Sequence, residues 1–441
     1  MQVSANGGNA ELLVDKGEAV TFFMPQMLPD GKSVLFTKVD DQENFSIMVR
    51  SLESGETREL AAGAAARYLP SGHLIYTKGE SLMDMRADLY AVSFDADKLK
   101  VTGDQFAMGI TVSGIGGCFY AISDSGTLVY IGEDKLLNAF VQIDRDGNVQ
   151  PIPVAPLNTY LDLRISPDET RVATSFYDQG NQDIYIWDLN YGRMNPLTYH
   201  ETEDYTPIWT PDSKTIIFVS MRDGKRAIYR RAANGTGEVE QLVSDPNRDL
   251  LPWSLSDDGK ILLLMGIDAE GIPQSDIGML SMEGDRSINW LLESKSNETF
   301  PMMSPDRKWM AYVSNESGQN RIYVRPFPDV NKDKKTISTG NGESPLWSPD
   351  GRELFYITGD AVMVVPVIES ETDFKHEKPQ TLFHETFFSY TLSGITDVPW
   401  DIHPDGKSFL MLKPTFGDSG NTKINVITNF FEELKQKVPT D

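Results

Sequence analysis

His200 stands beside Glu201, Glu203 and Asp204, and imidazole with carboxylate oxygens is the donor set that zinc and related divalent cations take. A site of that kind needs further ligands from elsewhere in the chain. His73 and His403 fall next to or within repeated turns, and His376 and His384 lie in a polar stretch with no second ligand pattern around them. No His-Glu-x-x-His pair occurs. The segment around His200 therefore reads as a solvated acidic loop, and no metal is assigned. Asp329, Asn331 and Asp333 alternate as in a calcium loop, but the Gly and the distal Glu of such a loop are missing. They read as a charged hairpin tip. Cys118 is the only cysteine, which excludes an intrachain disulfide and a thiolate metal cluster.

Nucleophile and phosphate chemistry fare no better. Gly31-Lys32-Ser33 and Gly406-Lys407-Ser408 resemble the end of a phosphate-binding loop, yet Gln26 and Asp401 stand where its first glycine belongs. No Gly-x-Ser-x-Gly elbow is present to present a serine nucleophile. No cofactor is implied.

The elements that could position any site come from one repeat. Its clearest forms are Trp347-Ser348-Pro349-Asp350-Gly351, Trp209-Thr210-Pro211-Asp212-Ser213, Met303-Ser304-Pro305-Asp306-Arg307 and Ile165-Ser166-Pro167-Asp168-Glu169. Leu28-Pro29-Asp30-Gly31 and His403-Pro404-Asp405-Gly406 belong with them. Degraded copies stand at Leu69-Pro70-Ser71-Gly72, Ser123-Asp124-Ser125-Gly126 and Ser256-Asp257-Asp258-Gly259. The markers at 29, 70, 124, 167, 211, 257, 305, 349 and 404 are spaced by 41 to 55 residues, the period of a four-stranded propeller blade. Pro presets φ for a turn, Asp bonds nearby backbone N–H groups, and Gly tolerates positive φ. Two and four residues before each marker stand apolar or aromatic residues, such as Trp209 and Pro207 or Trp347 and Pro345. That spacing places them on one face of a strand. Apolar runs such as Ile216-Ile217-Phe218 follow the turn, then a third strand such as Asp183-Ile184-Tyr185-Ile186-Trp187, then a more polar fourth. Polarity rising outward over four strands describes a blade.

The expected fold is all-β, a single closed β-propeller over residues 1–441 with about nine four-stranded blades. A degraded unit that forms no full blade would leave eight. Residues 1–15 read as closing strands of the last blade, with Ala10-Glu11-Leu12-Leu13-Val14 completing the edge of Ile424-Asn425-Val426-Ile427. Residues 16–427 hold the repeat units, and 428–441 a short helix and tail. In the tail, Asn429 followed by Glu432 resembles a capping box, with the helix expected over 430–438 and packed on the last blade.

The Ser-Pro-Asp-Gly turn with Trp two residues before Pro resembles the WD-like repeat of TolB-type propellers. Tyr323-Val324-Arg325-Pro326-Phe327-Pro328, Trp347 to Tyr356, and Asn429-Phe430-Phe431-Glu432-Glu433-Leu434-Lys435 are similar to the C-terminal propeller of bacterial membrane-anchored serine/threonine protein kinases. The resemblance implies an extracytoplasmic or periplasmic sensor and protein-interaction platform. It offers no catalytic motif, and the kinase signatures His-Arg-Asp and Asp-Phe-Gly are absent from this chain.

On such a fold a site must be argued from the loops that lead into the innermost strands. They carry Tyr160 and Asp162, Glu203, Asp204 and Tyr205, Arg248 and Asp249, Glu298, Asn341 and Glu343, and Asp397. Carboxylates with interleaved aromatics at a channel mouth would take a cationic or metal-bridged ligand, with Tyr205 as an apolar wall. Acids outnumber bases 65 to 40 for a net charge of −25, which repels a phosphate backbone and makes nucleic acid an unsuitable partner. No run approaches the length of a membrane span, and the first residues show no secretory signal. The expectation is a non-catalytic module, not an enzyme, that binds a protein, peptide or small ligand at the channel face, without membrane insertion of this chain. The alternative is a propeller enzyme, a metal-assisted lyase or glycan hydrolase, using the channel carboxylates; lyases of similar repeat type need several histidines around one metal.

Overall fold

The computed structural model describes residues 21–438 apart from 41–43, 80–85, 114–118, 133–135, 153–157, 159, 179–180, 269–273, 369, 371–372, 386–398 and 417–423. Each repeated turn is knitted by its own side chains. The Ser348 hydroxyl donates to Asp350 Oδ1 (2.7 Å) and accepts the Glu353 N–H (2.9 Å), while Arg352 N–H donates to Asp350 Oδ1 (3.1 Å). Ser304, Asp306 and Trp309 repeat the arrangement, as do Thr210, Asp212 and Thr215. The hydroxyl is thus donor and acceptor at once, which Ala could not be. Gly351 closes the turn at φ 70, a conformation that costs an L side chain about 1 kcal/mol.

These turns join the first and second strands of antiparallel sheets. Sheet A comprises Thr21–Met27, Ser33–Val39, Phe45–Ser51 and Thr57–Ala62. Sheet B comprises Ala64–Leu69, His73–Lys78 and Arg86–Asp95, the last paired with both Lys100–Val101 and Phe106–Ser113. Sheet C is Tyr120–Ile122, Leu128–Ile131 and Ile424–Ile427. Sheet D is Tyr160–Ile165, Arg171–Asp178, Asn181–Asp188 and Arg193–Pro196; sheet E is Asp204–Trp209, Thr215–Ser220, Ala227–Ala232 and Glu240–Val243. Sheet F is Arg248–Leu255, Ile261–Asp268, Ser275–Ser281 and Ile288–Leu292; sheet G is Glu298–Met303, Trp309–Ser314, Arg321–Pro326 and Lys335–Thr336. Sheet H is Glu343–Trp347, Glu353–Thr358 and Ala361–Ile368, the last paired with Lys375–His376 and Gln380–His384. Sheet I joins two distant pieces, in the order Trp400–Ile402, Ser408–Phe416, Leu136–Asp144, Val149–Pro151. Among the described residues the chain is all-β with one short helix, Phe430–Lys437.

Two compact units share these sheets, residues 1–136 with 416–441, and residues 137–415. In the first, the helix buries Phe430, Leu434 and Val438 against Leu69, Ile75, Met108 and Leu128. It packs on sheets B and C, not on the last repeat as expected. The capping box does not form: Asn429 adopts φ 60 and ψ 30 with no side-chain cap. The helix start is held by the backbone instead, Phe430 N–H donating to Gly126 O (2.8 Å). A second correction concerns the ninth repeat. Ile424–Ile427 pairs with Leu128–Ile131 of the third repeat, because Leu136–Asp144 already occupies the neighbouring edge of Ser408–Phe416. The closing strands expected in residues 1–15 lie outside the described residues.

In the second unit, adjacent sheets are linked one to the next. Trp209 Nε1 donates to Arg164 O (2.9 Å), Leu250 N to Arg226 O (2.9 Å), and Met303 N to Ser254 Oγ (3.3 Å). Trp347 Nε1 donates to Met302 O (3.1 Å) and Trp400 Nε1 to Ser344 O (3.1 Å). Ile165 N donates to Asp401 Oδ2 (2.8 Å), a bond between sheets D and I. The first strands of D to H, like those of A and B, each break register at a β-bulge. Non-glycine residues hold positive φ there, at Met24, Ala65, Thr206, Phe300 and Ser344. Proline follows four of them, at 25, 207, 301 and 345, where it leaves no N–H unpaired in the bulge.

Replacing Ser348 by Ala strips the turn of a donor and an acceptor, and should lower unfolding free energy by about 1–3 kcal/mol. Ser348 is also the leading influence that holds Asp350 below the usual carboxylate range, with Arg352 N–H next. A depressed pKa contributes stability that is lost as pH falls, so chemical denaturation from pH 7 to 3 should show the variant losing less stability on acidification than the wild type.

Candidate functional site

Because strands alternate in direction, the Ser-Pro-Asp turns gather at one end of each sheet. The starts of the first strands and the turns between second and third strands share the opposite end. Three charged clusters of the second unit lie on that strand-start face.

In the first, Asp204 opens sheet E with its side chain wholly buried, and Arg222 Nη2 reaches both its oxygens at 3.2 and 3.0 Å. Arg222 is fixed by Ser220 Oγ (2.9 Å) and lies 4.9 Å from the centre of the Tyr229 ring. Asp183, on the third strand of sheet D, accepts from Thr198 Oγ1 (2.8 Å) and Asn181 Nδ2 (2.9 Å). Burial raises the Asp183 carboxyl, and the negative charge of Asp204 adds to the rise.

The second cluster surrounds Arg226. Its Nη1 pairs with Asp249 Oδ2 (3.1 Å) and its backbone N–H meets Asp249 Oδ1 (3.3 Å). Tyr205 is buried beside it. Burial pushes the phenol up to about 12, Arg226 opposing while Glu203 and Asp249 add to the rise.

The third has no counterpart in the sequence reading beyond Arg248 and Glu298. Arg248 Nε pairs with Asp268 (3.2 Å), and its Nη2 with Asp276 (3.0 Å) and Glu293 (3.0 Å). The guanidinium lies 4.0 Å from the centre of the Trp290 ring, a cation–π distance. Gly266 and Gly278 make room for that indole: a Cβ at Gly266 would fall 2.2 Å from Trp290. Behind the arginine, Asp276 Oδ1 and Glu298 Oε2 are buried without a hydrogen-bond partner among the described residues. Burial raises both carboxyls; Arg248 draws Asp276 back, whereas Asp276 pushes Glu298 further up.

The other expected residues are placed differently. Tyr160 is fully buried between Phe140 and Phe176, with ring centroids at 4.4 and 5.3 Å, so it belongs to the packing of sheets D and I. Asp162 is buried and accepts from Ser175 N (2.7 Å), Ser175 Oγ (2.7 Å) and Thr206 N (3.1 Å). Burial lifts its carboxyl to about 6 against those donors, and its task is to tie sheet D to sheet E. Glu343 accepts from Asn341 Nδ2 (3.2 Å), and Asp397 lies outside the described residues. The structure therefore gathers Glu203, Tyr205 and Asp249 around Arg226, sets Asp204 on Arg222, and joins Arg248 and Glu298 through Asp276. Sequence reasoning missed Asp183, Arg222, Arg226, Asp268, Asp276, Trp290 and Glu293, since it followed only the loops before first strands. Gly266 inside an apolar run was the available signal of a close approach. Among the described residues, no group of three or more His, Cys, Asp or Glu is placed to hold a metal ion, and no helix is long and apolar enough to cross a membrane.

Comparison with known proteins matches one part of the chain to a family profile. Residues 162–283 match the profile of the TolB beta propeller domain. That stretch begins in sheet D and ends just past the third strand of sheet F, so it holds all three clusters' arginines. The "Uncharacterized peptidase YuxL" of Bacillus subtilis is 24% identical over 192 residues, 35% of this chain and 29% of the relative. The chain matches less than half the length of the first two curated relatives, 29% and 46%. Among solved structures, TolB from Acinetobacter baumannii is similar with a TM-score of 0.42 and 16% identity, over 70% of this chain and 83% of that one. An oligogalacturonate lyase in complex with manganese gives 0.42 and 12%, over 71% and 81%.

Glu298→Gln tests the buried pair. A carboxyl whose pKa is raised on folding keeps a proton that the unfolded chain has released. Its stability contribution is then lost as pH rises through the folded value. Gln keeps the bond from Ser294 Oγ (2.7 Å in the wild type) and removes the titration. Its Tm should exceed the wild type's by a few degrees at pH 8, roughly 1 kcal/mol, with the gain shrinking toward pH 4 in calorimetric scans.

Proposed function

We propose that sheets D to I form a closed six-bladed TolB-type propeller, and that it is a non-catalytic binding module whose strand-start face takes a cationic group, such as a basic peptide segment. The observation that carries this reading is the convergence of Asp268, Asp276 and Glu293 on the single guanidinium of Arg248, with Asp276 and Glu298 each keeping an oxygen unpartnered. One positive charge facing several negative ones leaves a residual field that attracts cations. The rim carries Glu203, Asp268, Glu293 and Glu343, all at least partly accessible, where a ligand can reach them. Trp290 holds the Arg248 guanidinium 4.0 Å from its ring centre, which fixes the charge around which these carboxylates stand.

The resemblance of the repeats to kinase-linked propellers supports placing such a module in a bacterial signalling protein, on the extracytoplasmic or periplasmic side, where a protein partner would dock. Asp204 and Asp162 are unsuitable probes of this reading, because both are buried and bonded across strands or sheets. Glu203, Glu293 and Glu343 are suitable. Calorimetry with a Lys/Arg-rich peptide, a polyamine and calcium should show peptide binding that weakens as salt rises. The triple variant Glu203→Gln, Glu293→Gln, Glu343→Gln should bind at least about tenfold more weakly, roughly 1.4 kcal/mol, at unchanged Tm. Equal binding by the triple variant, or none by the wild type, would overturn the assignment.

A further inference from the structure

The repeated turns of the second unit touch one another in a fixed way, through the residue just after the turn aspartate. Ser213 of sheet E accepts the Asp168 N–H of sheet D at its Oγ (3.0 Å). A Cβ at Gly259 of sheet F would lie 3.7 Å from Pro211 of sheet E, and Arg307 of sheet G pairs with Asp258 of sheet F. Cβ atoms at Gly351 of sheet H and Gly406 of sheet I would each lie 3.5 Å from the turn proline of the sheet before, Pro305 and Pro349. Glu169 holds the same place in sheet D, at φ 61, and its Oε2 lies 3.8 Å from His403 Nε2 in the turn of sheet I. The contact between D and I thus follows the pattern of the others.

Its chemistry is different. Where His403 stands, the other turns of this unit carry a hydroxyl, at Ser166, Thr210, Ser256, Ser304 and Ser348, which donates to the turn aspartate at 2.6 to 2.7 Å. His403 Nδ1 lies 3.2 Å from Asp405 Oδ1 but makes no hydrogen bond among the described residues. Nε2 is too far from Glu169 for one. Each contact therefore acts through charge. A neutral imidazole points a lone pair at one of these two carboxylates, whichever tautomer it takes, whereas imidazolium presents N–H to both.

Asp401 brings a third carboxylate to the same boundary. Its Oδ2 accepts the Ile165 N–H of sheet D (2.8 Å) and its Oδ1 the Ile402 N–H (2.9 Å). Burial raises its carboxyl, while Arg164 of sheet D, those two N–H groups and His403 draw it back. The other charged neighbours of this turn are already engaged or in solvent. Arg145 Nη1 lies 3.5 Å from Gly406 O, but its guanidinium is committed to Glu353. Asp350 and Arg352 belong to the adjoining turn of sheet H, and Lys407 is exposed. The His403 side chain is 27% exposed, so protons reach it.

We propose that His403 is a proton-operated latch between sheets D and I, closed by imidazolium on Glu169 and Asp405 and released when the proton leaves. The inference rests on the reading of D to I as a closed propeller, in which this boundary completes the ring. An imidazolium that gains carboxylate partners contributes stability on the acid side, and that contribution is lost as pH rises. Histidine is the side chain that ordinarily changes charge between pH 5 and 8.

Hydrogen exchange of the full chain at about pH 5.5 and about pH 8 tests the latch, with wild type compared to His403→Ser and to Glu169→Gln at each pH. The amide to follow is Ile165, which is bonded to Asp401 across the boundary. Its protection in the wild type relative to either variant should be about threefold greater at the lower pH than at the higher, the size of a partly exposed ion pair. The Met303 amide, bonded to Ser254 Oγ between sheets F and G, should show the same ratio at both. An Ile165 amide as protected as that of Met303 but indifferent to both substitutions overturns the latch and leaves the propeller reading standing. An Ile165 amide unprotected in the wild type at both pH values overturns the two together. If His403→Ser does not fold, Glu169→Gln decides alone.

Discussion

In residues 137–415 the structure hangs on one pairing, the strand Leu136–Asp144 laid beside Ser408–Phe416 in sheet I. Without it, sheet I would part into two two-stranded halves, each with an open edge, and edges invite pairing with other chains. The pairing draws buried bulk from both ends of the segment. Phe140 stacks on Trp187 at 5.2 Å, and Trp400 stacks on Phe409 at 5.5 Å. Arg145, in the turn after Leu136–Asp144, grips Glu353 of sheet H with two bonds of 2.8 and 2.7 Å. The tryptophan donors of sheets E, H and I can act as links only because their acceptors are held by the same succession of sheets.

Charge is the second constraint. In a chain of net charge −25, three arginines at the strand-start face of this unit each meet a buried or half-buried acid: Arg222 with Asp204, Arg226 with Asp249, Arg248 with Asp276. Burying an ion pair is costly in desolvation and contributes little net stability. What it gives is orientation. Tyr229, Tyr205 and Trp290 stand beside these three guanidinium groups, so the aromatic planes and the charges are fixed together.

The repeat was legible because its chemistry is local. Ser348, Pro349, Asp350 and Gly351 complete their bonds within five residues, and Trp209 reaches the adjacent sheet. The bulges were half legible, through prolines 207, 301 and 345. The exchange of strands between the third and ninth repeats left no local trace. The seven residues 417–423 before Ile424 make a link hardly longer than the six of 315–320 or 221–226, so spacing alone could not reveal that the chain changes sheets. Pattern also could not tell a loop carboxylate from a buried one. Asp204 and Glu343 occupy similar places in their repeats, yet Asp204 is sealed under Arg222 while Glu343 stays accessible.

The exchange has a consequence for how the chain is made. Ile131 and Ile424, neighbours in sheet C, are separated by 293 residues. At about 5–20 residues per second on a ribosome, Leu128–Ile131 waits roughly 15–60 s for its partner to be synthesised. Over that interval the whole of residues 137–415 emerges and can settle first, so the segment begun earliest is finished last. Until then the Leu128–Ile131 side of sheet C stays without this partner, an exposed nascent edge of the kind that invites aggregation.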